Sequence, residues 1–313
     1  MKDNRMKPVL AGLLALTLAI PAAAATPPDQ VGQARERLLS GGAGERRGGP
    51  VQAVDPQTIV PGARRLTESY GPSPDQTFDV YTPPDARRAP VLIMVHGGAW
   101  RIGDKASPGV VENKLRYWLP RGYILVSVNY RLLPEATAYE QASDVAEAVR
   151  WIADRASAWG GDPGAMILMG HSAGGHIAAL LAARPEMVGR PLAGAVILDT
   201  AVLDVEAVLI RRHPRLYDEA FGADPDDWRR ASPSRQWTPA ATPMLVVCST
   251  RRPDHPCEEA GAFARMTAGA GRRTVILPVD LTHREVNDTL GLAGDYTRTV
   301  DDFIVERLAG SAR

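Results

Sequence analysis

Continuous apolar runs recur along this chain from residue 90 onward: PVLIMV, YILVSV, MILM, GAVILD, PMLVVC and RTVILPV. A strand without polar alternation must be covered on both faces, which is the condition of a parallel sheet wrapped by helices. The segments between the runs are long enough for such crossovers. The clearest helix spans Tyr139 to Trp159, where Val145, Val149, Ile152, Ala156 and Trp159 step by four, three, four and three. Further helices are expected at 258–269 and 295–309, and the Pro-Arg-Gly at 120–122 stops another. Before the runs, RRLTESYG and QTFDVYTPP alternate polar and apolar residues, as a half-solvated antiparallel pair would. The fold class is therefore α/β, a mostly parallel sheet with helices on both sides. Residues 203–240 break the rhythm with turn formers, aromatics and charges, so they are expected to form a cap inserted in a single domain spanning 61–313.

The first 60 residues have a different character. Lys2, Arg5 and Lys7 precede the apolar run VLAGLLALTLAI, and Pro21 with Ala22 to Ala25 follows it. A basic start, a short apolar centre and a small-residue exit are the marks of a secretory signal, expected over 1–25. The apolar run is too short to span a bilayer, which takes roughly 20 residues. Residues 26–60 carry no sustained periodicity and are expected to form a flexible leader. The mature chain is thus expected in the periplasm or outside the cell, without stable membrane insertion. Basic and acidic residues balance at 36 each, which offers no surface for nucleic acid.

One junction in the sheet pattern carries chemistry. In MILMGHSAGGHIAAL the strand stops at Gly170 and an Ala-rich helix starts after Ser172. Gly170-His171-Ser172-Ala173-Gly174 fits G-x-S-x-G, a sharp strand-to-helix turn that projects a serine hydroxyl above the sheet edge. The plain alternative is a helix N-cap serine. A reactive serine needs a base, itself oriented by a carboxylate. Of six histidines, His283 in VDLTHREVN lies just past the last strand run, at the edge where all parallel strands end. For the carboxylate, Asp254 follows the strand PMLVVC and fits the order Ser, Asp, His; Asp204 is the second choice, and Asp280 stands too near His283 in sequence. His96-Gly97-Gly98-Ala99-Trp100 ends an earlier strand, where glycines can turn amides inward. Gly98 and Ala99 are expected to donate to an oxyanion together with Ala173, with His96 and Gly97 shaping the turn. Trp100, Arg101, Tyr130, His176, Tyr217, Phe221 and Trp228 are candidates to line the cleft. Cys248 and Cys257 are the only cysteines, and in an exported chain they point to a disulfide closing the loop that holds Asp254.

Together HGGAW, VNYRLLPE, GGDP and GHSAGG, in this order, resemble the α/β-hydrolase superfamily over about 64–310, in its HGG-type carboxylesterase and lipase branch. The resemblance implies an eight-stranded, mostly parallel sheet with a short cap and no cofactor or metal. It also implies a serine carboxylester hydrolase acting on small-molecule or carbohydrate esters through an acyl-enzyme. Ala99-Trp100 departs from the third glycine and aromatic of hormone-sensitive-lipase-like enzymes. HGGAW with GHSAGG is more similar to bacterial carbohydrate acetyl or feruloyl esterases and to arylformamidases. Two other readings follow: an arylformamidase-type amide hydrolase, against which export argues, and a non-catalytic binding protein on the same fold.

Overall fold

The computed structural model describes Met1, residues 51–268 and residues 274–311. Apart from Met1, the expected signal segment 1–25 and the expected leader up to residue 50 lie outside the described residues. Eight strands form one sheet: β1 (Arg64–Ser69), β2 (Thr77–Thr82), β3 (Ala89–Val95), β4 (Ile124–Val128), β5 (Gly161–His171), β6 (Gly194–Leu198), β7 (Met244–Ser249) and β8 (Thr274–Val279). Their order is β1-β2-β4-β3-β5-β6-β7-β8. β1 and β2 pair antiparallel, as do β2 and β4, and every pairing from β4 through β3 to β8 is parallel.

The helices are α1 (Pro108–Trp118), α2 (Ala138–Arg155), α3 (Ala173–Ala183), α4 (Val205–Leu209), α5 (Arg215–Phe221), α6 (Pro225–Ala231), α7 (Pro233–Gln236), α8 (Pro256–Thr267), α9 (His283–Asp288) and α10 (Asp295–Ser311). Successive strand residues point to opposite faces, so the apolar runs divide between two cores. Val91, Ile93 and Val95 pack with residues of α2, α3 and α8, whereas Leu92 and Met94 pack with those of α1, α9 and α10. Ala-rich α3 is buried on every side, as expected of a helix that is apolar all round.

Four local readings change. The alternating pair is half-solvated only at β1, since β2 is buried from Phe78 to Thr82. It sits between β1 and β4 and feeds Phe78 and Val80 to one core and Tyr81 to the other. The helix expected to Trp159 is α-helical only to Arg155, and a 3-10 turn ended by Gly160 completes it. The turn expected at GGDPG is taken into β5, whose Gly161 already pairs with Ala89 before the register shifts. The expected leader is too long, because residues 51–60 are part of the fold. Asp55 caps a 3-10 turn over Pro56–Thr58, and Val54, Ile59 and Val60 pack against the second core. Three isolated apolar residues show no period, which is why the pattern alone misses this seam.

Between β6 and β7 lie α4 to α7, which form the cap. No helix among the described residues is long and apolar enough to cross a membrane.

Candidate active site

Ser172 sits at the end of β5 with φ 55 and ψ −117, backbone angles that a side chain rarely adopts. The turn is tight enough that both flanking glycines are needed. A Cβ on Gly170 would meet Gly174 O at 2.1 Å, and one on Gly174 would meet Val95 O at 2.3 Å. Ser172 N–H donates to Leu198 O at 2.9 Å, which pins the turn to β6. The hydroxyl makes no capping bond to α3. It faces His283 Nε2 at 3.0 Å instead.

His283 is the first residue of α9, whose start is fixed by a capping box between Thr282 and Glu285. The other end of this short helix is held by α1: buried Lys114 donates to Asn287 O at 2.9 Å and to Asn287 Oδ1 at 3.0 Å. The ring of His171 lies against that of His283, with centroids 4.6 Å apart, and its Nε2–H donates to His283 O at 2.9 Å. Burial, followed by the nearness of His283, drives the His171 pKa well below the usual imidazole range, so it serves as a neutral donor.

The carboxylate beside His283 is Asp199, with Oδ2 2.6 Å from Nδ1. Asp199 is the first residue past β6. Its N–H still donates to Val247 O at 2.8 Å, and then a φ of 53 turns the chain. Its side chain is fully buried, and Oδ1 accepts from Ser249 N–H at 2.8 Å. Burial opposes its charge. The His283 hydrogen bond, the Arg252 cation and the Ser249 amide outweigh that burial and hold the carboxyl well below its usual range. A carboxylate at 2.6 Å can only accept, so Nδ1 carries the proton and the Nε2 lone pair faces Ser172.

Asp254, the carboxylate expected from sequence to orient His283, does not do so and lies on Arg252 instead. Arg252 holds it through Nε–Oδ1 at 2.9 Å and Nη2–Oδ2 at 2.6 Å, with the same guanidinium reaching Asp199 Oδ2 at 3.0 Å. The cation between the two carboxylates leaves only Asp199 on the histidine. Asp204, the second choice, caps α4 by accepting from Ala207 N–H. The signal for Asp199 was present in GAVILD: the rule that chemistry gathers at strand ends applies to the last letter of that run. Reading that letter as part of the strand hid it.

Ala99 and Ala173 both line the cleft beside Ser172. Ala173 opens α3, so its N–H has no acceptor within the helix. Gly98 stands one residue back, its carbonyl accepting from the Arg101 and Ile102 amides. Trp100 and Tyr217 also line the cleft. The Trp100 ring is packed edge-on against His176, Tyr217 and Phe221. Arg101 pairs with Glu219 of α5, a second tie between this turn and the cap. Tyr130 OH instead supports the turn by donating to His96 O at 2.8 Å, and Trp228 Nε1–H donates to Gly222 O within the cap. Cys248 and Cys257 form a disulfide, with Cα atoms 5.2 Å apart.

A family model described as BD-FAE matches residues 78–204. A probable isoprenylcysteine alpha-carbonyl methylesterase of Oryza sativa is 39% identical over 111 residues, covering 35% of this chain and 26% of the relative. Esterase LipQ of Mycobacterium tuberculosis is 30% identical over 225 residues, covering 66% of this chain and 53% of the relative. The chain thus spans between about a quarter and just over half the length of these curated relatives. Among solved structures, a butyrate-bound thermophilic esterase from Thermogutta terrifontis superposes with a TM-score of 0.63. It is 24% identical and covers 79% of this chain and 94% of its own. The sheet order, the strained serine turn and these likenesses agree on an α/β-hydrolase fold in a chain similar to carboxylesterases and lipases of that superfamily.

Proposed function

We propose that this protein hydrolyses short-chain carboxylic esters of small alcohols or carbohydrates through an acyl-enzyme on Ser172. The observation that carries the reading is the relay Asp199 Oδ2, His283 Nδ1, His283 Nε2, Ser172 Oγ, with contacts of 2.6 and 3.0 Å. His283 takes the hydroxyl proton as Ser172 attacks the ester carbonyl. The tetrahedral oxyanion is received by the amides of Ala99 and Ala173, at the positive end of the α3 dipole. His283 then protonates the leaving alcohol, and in the second half it deprotonates the water that releases the acid. Asp199 keeps the imidazole in the required tautomer and stabilises its transient positive charge.

A short acyl group suits the cleft, because Trp100 and Tyr217 stand in its wall along with Ser172. The butyrate held by the structural neighbour supports the same size class for that fold. The basic and apolar start of the chain supports export to the periplasm or beyond. The test is Ser172→Ala with p-nitrophenyl acetate, acetylated xylan and N-formylkynurenine as substrates. Esterase activity is expected to fall by ~10⁴ or more with the fold unchanged. An organophosphate is expected to label Ser172 in the unaltered protein. Undiminished turnover in the alanine variant would refute the serine mechanism. Faster turnover of N-formylkynurenine than of any ester would move the reading to amide hydrolysis.

A further inference from the structure

Arg252 is a buried cation inside the relay, and the serine mechanism above gives it no task. Its side chain is 11% exposed and lines the cleft wall. Four of its five N–H donors are placed on the two aspartates. Nε and Nη2 grip Asp254 at 2.9 and 2.6 Å, and Nη1 lies 2.8 Å from Asp199 O and 3.0 Å from Asp199 Oδ2. Its charge is already matched by two carboxylates. Nη1 also stands 3.0 Å from His283 Nδ1. Two N–H groups cannot bond each other, and Nδ1 already donates to Asp199, so this approach is a cation held against the ring that must become an imidazolium.

We propose that Arg252 is a positioning residue that sets the protonation range of His283, and that Asp254 sets the strength of Arg252. The inference rests on the serine esterase reading. Arg252 holds Asp199 by its side chain and its carbonyl at once, which fixes the carboxylate on Nδ1. Its charge partly cancels that of Asp199 as felt by the ring. Asp254 moderates this effect from the far side of the guanidinium. The charged or titrating groups facing His283 are Asp199 from β6, Arg252 with Asp254 behind it from the loop after β7, and His171 from β5. Lys114 of α1 acts on His171, and Tyr296 of α10 stands within the field of Asp199. Of these, Arg252 is the cation in contact with the imidazole.

The test is the pH profile of kcat/KM on p-nitrophenyl acetate from pH 4 to 9. Removing Arg252 alone would take from the buried Asp254 the guanidinium that binds both of its oxygens, so the variant is Arg252→Gln/Asp254→Asn. Its acid limb is expected to rise by about one pH unit or more. Asp254→Asn alone leaves Arg252 with Asp199 but without its second carboxylate, and its acid limb is expected to move the other way, downward. Arg252→Lys retains the cation and is expected to keep the limb close to that of the unaltered protein. Variants that fold, by circular dichroism and by organophosphate labelling of Ser172, yet keep the original limb would overturn the proposal. So would shifts of the same sign in the double variant and in Asp254→Asn. If the double variant fails to fold, the downward shift in Asp254→Asn still decides the matter. Absence of Ser172-dependent ester hydrolysis in the unaltered protein refutes the esterase reading itself, a result distinct from an active enzyme with an unmoved limb.

Discussion

Replacing Asp199 with Asn keeps the shape of the site and reverses one hydrogen bond. In the native arrangement Oδ1 accepts from Ser249 N–H at 2.8 Å, and Oδ2 accepts from His283 Nδ1 at 2.6 Å and from Arg252 at 3.0 Å. An amide has one oxygen and one NH₂ to offer in their place. If the oxygen stays on Ser249 N–H, the NH₂ points at Nδ1, which must then accept. The ring proton moves to Nε2, so the atom facing Ser172 at 3.0 Å becomes a donor with no lone pair for the hydroxyl proton. If the amide flips, its NH₂ meets the Ser249 N–H, a buried clash of donors that costs about 1–3 kcal/mol. The first arrangement also sets the NH₂ against Arg252 Nη1, so each orientation opposes donors, and each harms the relay: one through the wrong tautomer, the other through the lost Ser249 bond, and both through the lost negative charge beside His283. A wrong tautomer in a serine relay costs about 10³–10⁴ in kcat, equivalent to about 4–5.5 kcal/mol of transition-state stabilisation. Asp254→Asn leaves Asp199 on Nδ1 and is expected to change kcat less than about tenfold at pH 8. Steady-state kcat on p-nitrophenyl acetate for the two variants, with organophosphate labelling rates as a second readout, makes the comparison. If Asp254→Asn is the more damaging, or Asp199→Asn stays within tenfold of the unaltered enzyme, the relay described above is refuted.

Burial pushes the His176 pKa down to about 4, and its Nε2–H donates to Ala231 O at 2.8 Å. The unfolded chain titrates near 6.5 and so takes up this proton first, and stability is lost as pH falls from about 6.5 to 4. His176→Gln keeps a donor and removes the titration, so the loss of unfolding free energy between pH 7 and 4 is expected to shrink by about 3 kcal/mol in urea melts. An equally steep decline in the variant would refute this. In the acyl series, acetyl and butyryl esters are expected to outpace chains beyond about eight carbons, because Trp100 and Tyr217 leave little apolar wall to bury a tail at ~25 cal/mol/Å². Trp100→Ala is expected to raise the octanoyl-to-butyryl ratio of kcat/KM, and an unchanged ratio would show that this ring does not set chain length. The Cys248–Cys257 bridge closes the loop that carries Arg252 and Asp254. Replacing both cysteines with alanine is expected to cost about 2–3 kcal/mol of stability and to lower kcat well below the melting temperature. Free alkylation of both thiols in the native protein would show that the bond is absent.

The parallel sheet, the serine turn and the place of the histidine past the last strand are all legible in the sequence. Each rests on a local rule. Unbroken apolar runs such as PVLIMV demand cover on both faces, and Gly170 and Gly174 announce a turn in which a Cβ would strike backbone within about 2.3 Å. His283 follows the last strand, and the ends of parallel strands share one edge. Those rules hold because strand period and backbone sterics act over a few residues. The leader boundary failed for the complementary reason, since Val54, Ile59 and Val60 are apolar for the sake of a surface made by distant helices.

The identity of the relay carboxylate could not be settled locally. Asp199 and Asp254 both follow strands that end at the same edge, on adjacent strands of the sheet. Order along the chain permits either of them with Ser172 and His283. Tertiary structure decides between them through Arg252, the buried cation that grips Asp254 with one side of its guanidinium and touches Asp199 with the other. Which carboxylate a cation neutralises and which a histidine receives depends on distances among three loops, after β6, β7 and β8. The sequence determined that a serine, a histidine and an acid would meet at one sheet edge. Only the packing of those loops decided which acid, because charges in a low-dielectric interior select partners by contact rather than by order along the chain.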